Sequence, residues 1–197
     1  MYLFIDTETG GLTTDYSLLT VSAIIADRDF QFLSGGNADD TLYLEIRQDT
    51  YVVTPEALSI NRLDLIHHSA RGLKPDQARG RFTEFLAQAY ERCGRNKLVP
   101  AGHNVAYDLD FIWHHLMPRE DWRKYCTYPA LDTAIIARFL NSVHILEEKF
   151  KLTDVCAAFG VPIENAHHAE VDNKATLALA RQYAAMMREL TAGLPLS

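Results

Sequence analysis

Residues 1–12 read MYLFIDTETGGL, and the fold turns on where this stretch goes. Tyr2 to Ile5 is a short aromatic and β-branched run without charge, the pattern of a buried β-strand. Side chains alternate along a strand with period two, so Asp6 and Glu8 fall on one face. Two like charges side by side at the end of a core strand have two physical explanations. Either the strand has reached water, where carboxylates cost little, or a cation sits between them.

Further along, residues 16–27 (YSLLTVSAIIAD) and 41–46 (TLYLEI) read as second and third strands. Between them Gly35, Gly36 and Asn37 suit the positive φ of a turn. Thr54 and Pro55 are an N-cap and a first helical residue for TPEALSINRL. A longer helix is expected from Pro75 through FTEFLAQAY, a fourth strand at KLVPAG and a helix over NVAYDLDFIWHHLM. LDT at 131–133 closes a fifth strand, with TAIIARFL helical after it. LTDVCAAFG is a helix stopping at Gly160, and the last helix starts near Ala169. Three opening strands followed by alternating elements predict an α/β fold, a mixed sheet flanked by helices.

The chain has 197 residues, 48% of them hydrophobic and 23% charged, without internal repeat or low-complexity tract. One domain spanning 1–197 is expected, large enough to bury a core without staples. The N-terminus carries no basic leader pattern, and no apolar run approaches membrane-spanning length, so a cytoplasmic protein with no membrane partner is expected. Cys93, Cys126 and Cys156 are odd in number and widely spaced, which suggests neither a disulfide framework nor a CxxC metal site. A net charge of −7 argues against broad wrapping of a nucleic-acid backbone. It leaves open an enzyme working on a short strand end.

Two helices carry an acid where an apolar residue belongs. In the last one Thr176, Leu179, Tyr183, Met186 and Leu190 form a stripe at helical spacing, and four residues back from it stands Asp172. In the helix over 104–117, Val105, Ile112 and Leu116 share a face with Asp108, whereas Asp110 projects elsewhere into solvent. An ionised carboxylate on a buried stripe is costly unless paired or bound to metal. Taken singly, each acid has a plainer reading as a strand end or a favourable charge in a first helical turn. Their coincidence favours a hard divalent cation such as Mg²⁺, which takes oxygen ligands. His167 and His168 stand a turn or so before Asp172, and a neutral imidazole there suits a general base. Zinc is the rival, but adjacent histidines point different ways, and no HxxxH or CxxC pair supports it.

On these motifs the chain resembles the DEDDh 3′–5′ exonucleases, the superfamily of proofreading exonuclease subunits, ribonuclease T and oligoribonuclease. DTETGGL at 6–12 is similar to the family's D-x-E-T-T-G-L, HNVAYDLDFI at 103–112 to H-N-x-x-F-D, and HHAEVD at 167–172 to H-x-x-x-x-D. The three occur in order, and the likeness runs from residue 1 to about 185. Gly10 stands where threonine is usual, and Tyr107 where phenylalanine is common. The resemblance implies a ribonuclease H-like fold: a five-stranded mixed β-sheet, its second strand antiparallel to its neighbours, with helices on both faces.

It also implies chemistry. Two Mg²⁺ ions, replaceable by Mn²⁺, would be held by Asp6, Glu8, Asp108 and Asp172, with Asp6 bridging both and Asp108 acting through water. His167 would be the general base, and a 5′-mononucleotide would leave the 3′ end of single-stranded DNA or RNA. Thr7, Thr9, Leu12, Asn104 and Tyr107 would contact the strand end, Leu12 as a wedge against the terminal base unless it packs in the core. The segment HHSARGLKPDQARGR at 67–81, with four Lys or Arg and two histidines against one acid, is the candidate for phosphate contacts. Two other classes compete: a proofreading or docking module governed by a polymerase or another replication or repair partner, and a nonenzymatic binder that merely keeps the fold.

Overall fold

A computed structural model describes residues 1–36 and 39–192. Its five-stranded sheet comprises β1 (Tyr2–Thr9), β2 (Leu18–Ala26), β3 (Thr41–Glu45), β4 (Val99–Gly102) and β5 (Leu131–Asp132), in the order β3-β2-β1-β4-β5. β2 runs antiparallel to both neighbours, while β1, β4 and β5 are parallel. The mixed sheet and the antiparallel second strand are those the sequence led us to expect. β2 is buried along its whole length, which explains its continuous apolar run LLTVSAIIA.

The pleat of β1 sorts the molecule into layers. Leu3 and Ile5 face a core with α3 (Pro75–Arg92), α4 (Val105–Phe111) and α5 (Arg119–Tyr125), which bring in Phe82, Leu109 and Trp122. Phe4 faces the other way, against Leu177 and Ala180 of the long α8 (Ala169–Thr191). A satellite core joins α8 to α6 (Thr133–Ser142) and α7 (Leu152–Ala158). Asp6 and Glu8 therefore point to the α8 side, and Thr7 to the α4 side.

Several boundaries differ from the sequence reading. β1 does not end at its acids: it pairs with β2 as far as Thr9, with a bulge between Glu8 and Thr9. α1 (Pro55–Asn61) begins as expected, the Thr54 hydroxyl accepting from the Ala57 N–H at 3.1 Å. α2 (Leu65–Arg71) and α5 are short helices that the sequence reading left out. The helix expected over 104–117 stops at Phe111 and continues as a π-helical turn at Ile112–Leu116, where the Met117 N–H reaches the Ile112 carbonyl at 2.8 Å. Gly35 and Gly36 have the positive φ expected of a turn, and Asn37 lies outside the described residues. The apolar stripe of α8 ends before Leu190, which is exposed because the helix has run past the body it packs on. No helix among the described residues is long and apolar enough to cross a membrane.

Candidate active site

β1 and α8 bring three acids together. α8 packs on β1 and β2, and Asn173, wholly buried, fastens it there. The Asn173 amide donates to the Phe4 carbonyl and to the Ser22 hydroxyl, each at 3.1 Å, and Ser22 is the residue paired with Asp6 across the sheet. The next residue back, Asp172, thus faces Asp6 and Glu8. One carboxylate oxygen from each of the three lies within 4.8 Å of the others. Asp172 Oδ2 accepts the His167 backbone N–H at 3.0 Å, while its Oδ1 is buried with no hydrogen-bond partner among the described residues.

Asp108 comes from the opposite layer and stands outside this group of three. It is buried in α4, and its Oδ1 accepts both the backbone N–H (2.9 Å) and the hydroxyl (2.6 Å) of Thr7. α4 is held in turn by Asp132 at the end of β5, whose two carboxylate oxygens accept the N–H groups of Asn104 (2.9 Å) and Val105 (3.1 Å). Asp110, as expected, is on the surface, 3.3 Å from Arg119.

The acids repel one another. Burial, then Asp108, Glu8 and Asp172, hold Asp6 well above the usual carboxylate range. Burial, Asp172 and Asp108 push Glu8 up to about 8. Asp108 is pushed up to about 7 by burial, against the lowering effect of Thr7. Burial also raises Asp172, opposed by the His167 N–H and three nearby histidines. Four acids disfavoured as anions, with one buried oxygen left without a partner, fit a divalent cation, which would favour their ionised forms.

The two candidate histidines differ. His168 stacks on Tyr43 of β3, ring centroids 5.1 Å apart at 18°. His167 is exposed on the loop before α8, with a φ of 72°, and its backbone caps Asp172.

Beside the acids opens a pocket of about 560 Å³, lined among others by Thr7, Glu8, Thr9, Leu12, Ile60 and Tyr107. Leu12 is 86% exposed, so core packing does not explain it. The Tyr107 hydroxyl lies 2.6 Å from Thr9 Oγ1 and 2.8 Å from the Gly11 carbonyl, fixing the loop after β1. A phenylalanine there would make neither contact. Asn104 lies away from this pocket lining, at the N-cap of α4. The sequence reading missed the wall supplied by α1: Ile60, half-exposed, and buried Asn61, whose amide donates to the Thr9 carbonyl at 3.3 Å. The Gly10 carbonyl accepts the N–H of Thr54, the N-cap of α1, at 2.7 Å. A Cβ at Gly10 would overlap the Val52 carbonyl oxygen, which accounts for glycine where threonine is usual.

The basic segment at 67–81 is helical over most of its length. It forms the end of α2 and the start of α3. His68 is buried, bonded through Nε2 to the Leu19 carbonyl and through Nδ1 to the Tyr51 hydroxyl, both at 2.9 Å. The Arg79 Nε donates to the Leu116 carbonyl at 2.9 Å. All four basic residues, Arg71, Lys74, Arg79 and Arg81, are nonetheless exposed.

No protein-family model matches the chain. Over 93 residues, 47% of its length, it is 38% identical to a DNA polymerase III of PolC type from Clostridium perfringens, of which it spans 6%. Escherichia coli exonuclease I in complex with a dT13 oligonucleotide matches 97% of the chain at 19% identity and a TM-score of 0.77. Exonuclease I from Methylocaldum szegediense matches 98% at 21% identity and a TM-score of 0.74. The chain covers 42% and 41% of these two structures, well under half of each. The ribonuclease H-like fold expected from the motifs is therefore present, and the resemblance to the DEDDh exonucleases extends from three short motifs to the architecture that carries them.

Proposed function

We propose that this chain is a cytoplasmic, metal-dependent 3′–5′ exonuclease, a single-domain hydrolase that removes 5′-mononucleotides from the 3′ end of single-stranded DNA or RNA. The observation that carries the reading is the approach of Asp6, Glu8 and Asp172 within 4.8 Å, beside a pocket built on the same end of β1. Asp6, Glu8 and Asp172 would hold one Mg²⁺ or Mn²⁺, and Asp6 with Asp108 would serve a second. When bound, such ions offset the charge that builds on the attacking and leaving oxygens of an in-line displacement.

The chain's own residues do the rest. The pocket takes the terminal nucleotide, with Leu12 and Ile60 offering apolar faces to its base and the Thr9 region meeting its 3′-hydroxyl. Thr7 keeps Asp108 in place, and Tyr107 keeps the Thr9–Gly11 loop in place. His167, exposed beside Asp172, takes a proton from the attacking water. The water oxygen bonds to phosphorus, the bond to the neighbouring nucleotide's O3′ breaks, and a nucleoside 5′-monophosphate departs. Digestion from the 3′ terminus is the direction that the resemblance to the DEDDh exonucleases implies.

The test is hydrolysis of end-labelled single-stranded DNA, single-stranded RNA and a 3′-mispaired duplex, with Mg²⁺ or with chelator. Mononucleotide release only with metal is expected, and a circular single strand should survive. Cleavage of the circle would overturn the reading. The likeness to a PolC-type polymerase favours one variant of it, a proofreading module whose polymerase partner sets substrate choice. Preference for the mispaired duplex, and co-purification with a polymerase, would select that variant.

A further inference from the structure

A second cavity borders the loop that lines the terminal-nucleotide pocket. The lining of that pocket reaches Thr13, and the next residue, Thr14, lines the second cavity, of about 430 Å³, with Trp113, His114 and Arg119. A third cavity, about 350 Å³, shares Asp110, Trp113 and Arg119 with the second and continues to Tyr128 and Ile135. Both of these last residues are exposed. The second and third cavities are thus contiguous, and the first meets the second at consecutive residues of one loop, Thr13 and Thr14.

The π-helical turn is fastened to that loop. His115 Nε2 bonds to the Thr14 carbonyl at 2.8 Å, tying the turn to the loop that carries Leu12. Trp113 in the same turn lies under the Arg119 guanidinium, 4.2 Å from its ring centroid. Arg119 has one ion pair among the described residues, the exposed contact to Asp110, which holds it weakly.

We propose that the second and third cavities are the track for the single strand upstream of its 3′ end. Trp113 with Arg119, and Tyr128, offer planar groups on which bases of any sequence stack; Arg119 and His114 offer donors to phosphates. The inference rests on the exonuclease reading, because a surface adjoining the terminal-nucleotide pocket along the Thr13–Thr14 loop, and carrying planar side chains, selects a strand as the occupant. Acids at Asp110 and Glu120 and a net charge of −7 make stacking, rather than backbone charge, the main source of affinity.

Arg119→Glu and Tyr128→Ala alter exposed side chains and leave the acids untouched. Each is compared with the unsubstituted chain on a dinucleotide and on an oligothymidylate of about twelve residues, within the usual range of single-strand sites. KM for the long strand should rise about 5- to 100-fold, the loss of one stacked base, with dinucleotide hydrolysis unchanged. Fluorescence anisotropy of the labelled oligonucleotide with Ca²⁺ in place of Mg²⁺ reads the track without turnover. Failure of the unsubstituted chain to hydrolyse either substrate overturns the exonuclease reading, while anisotropy still judges the track. Equal long-strand affinity in both variants overturns the track and leaves this face to a polypeptide partner.

Discussion

Thr7 and Asp108, 101 positions apart, are joined by two hydrogen bonds to one carboxylate oxygen, from the Thr7 amide at 2.9 Å and from its hydroxyl at 2.6 Å. Thr7 sits between Asp6 and Glu8 but faces the other layer, so the pair ties α4 to the strand that carries two of the other three acids. Both donors favour the ionised carboxylate that burial disfavours. Thr7→Val keeps the shape and the amide and removes the hydroxyl. It should cost about 1.5–3 kcal/mol in denaturant unfolding, the worth of a hydrogen bond to a charged group. Asp108, already near 7, should rise further, moving the acid limb of the pH–rate profile to higher pH. Thr7→Ser should restore both readouts, and unchanged stability in Thr7→Val would remove the link.

The raised carboxylates set the sign of the pH dependence. Their ordinary values are 3.8 and 4.5, whereas in the folded chain Asp108 is held at about 7 and Glu8 at about 8, with Asp6 and Asp172 also raised. Between these limits the folded protein retains protons that the unfolded chain has released. Stability without metal is therefore greatest below pH 4 as far as these groups are concerned, and is lost as pH rises through 7 and 8. The Tm of the chelated protein should fall from pH 5 to pH 8. Mg²⁺ should reverse that fall at pH 8, by about 2.7 kcal/mol at a hundredfold excess over its Kd, and have little effect at pH 5. A chelated protein more stable at pH 8 than at pH 5 would contradict this arrangement of acids.

Removing any one acid separates catalysis from stability. Asp6→Ala, Glu8→Ala, Asp108→Ala and Asp172→Ala should each abolish metal-dependent hydrolysis in a folded protein. In the chelated state Asp6→Ala should unfold no more readily than the parent at pH 8, because it relieves repulsion among its neighbours. Asp110→Ala, on the solvent side of α4, should keep its activity. Two active variants among the four would end the two-ion assignment.

What could be read in the sequence was whatever lay within one element. An acid interrupting an apolar stripe is local, so Asp108 and Asp172 stood out before any fold was known. The π-helical turn was hidden because the stripe Val105, Ile112 and Leu116 reads straight through it. α2 and α5 are seven residues each, too short for a stripe, though Asp64 as N-cap and Pro118 before Arg119 marked their starts. The contacts that shape the site join distant residues: Thr7 with Asp108, Asn61 with Thr9, Asn173 with Ser22. The pairing itself leaves no pattern along the chain, even where one partner, as Asp108 does, stands out by itself. His68 shows the converse, a residue counted with the surface cations that is buried between β2 and the Tyr51 hydroxyl.

The adjacent histidines give the sharpest test of the motif register. His168 is engaged on the Tyr43 ring, so its removal should be felt first in packing, at about 0.5–1.5 kcal/mol for the lost ring pair. His167 makes its structural contribution through its backbone N–H to Asp172, which His167→Ala retains. Its exposed imidazole is the one proposed for proton transfer. His167→Ala should therefore lose about 10²–10⁴-fold in turnover, the usual contribution of a general base. Affinity for Mg²⁺ and for a strand end, measured by calorimetry and by anisotropy with Ca²⁺, should stay near the parent's. His168→Ala should keep most of its turnover and unfold more easily. A larger loss of turnover in His168→Ala than in His167→Ala would place the motif one residue out of register and pass the base to the ring stacked on Tyr43.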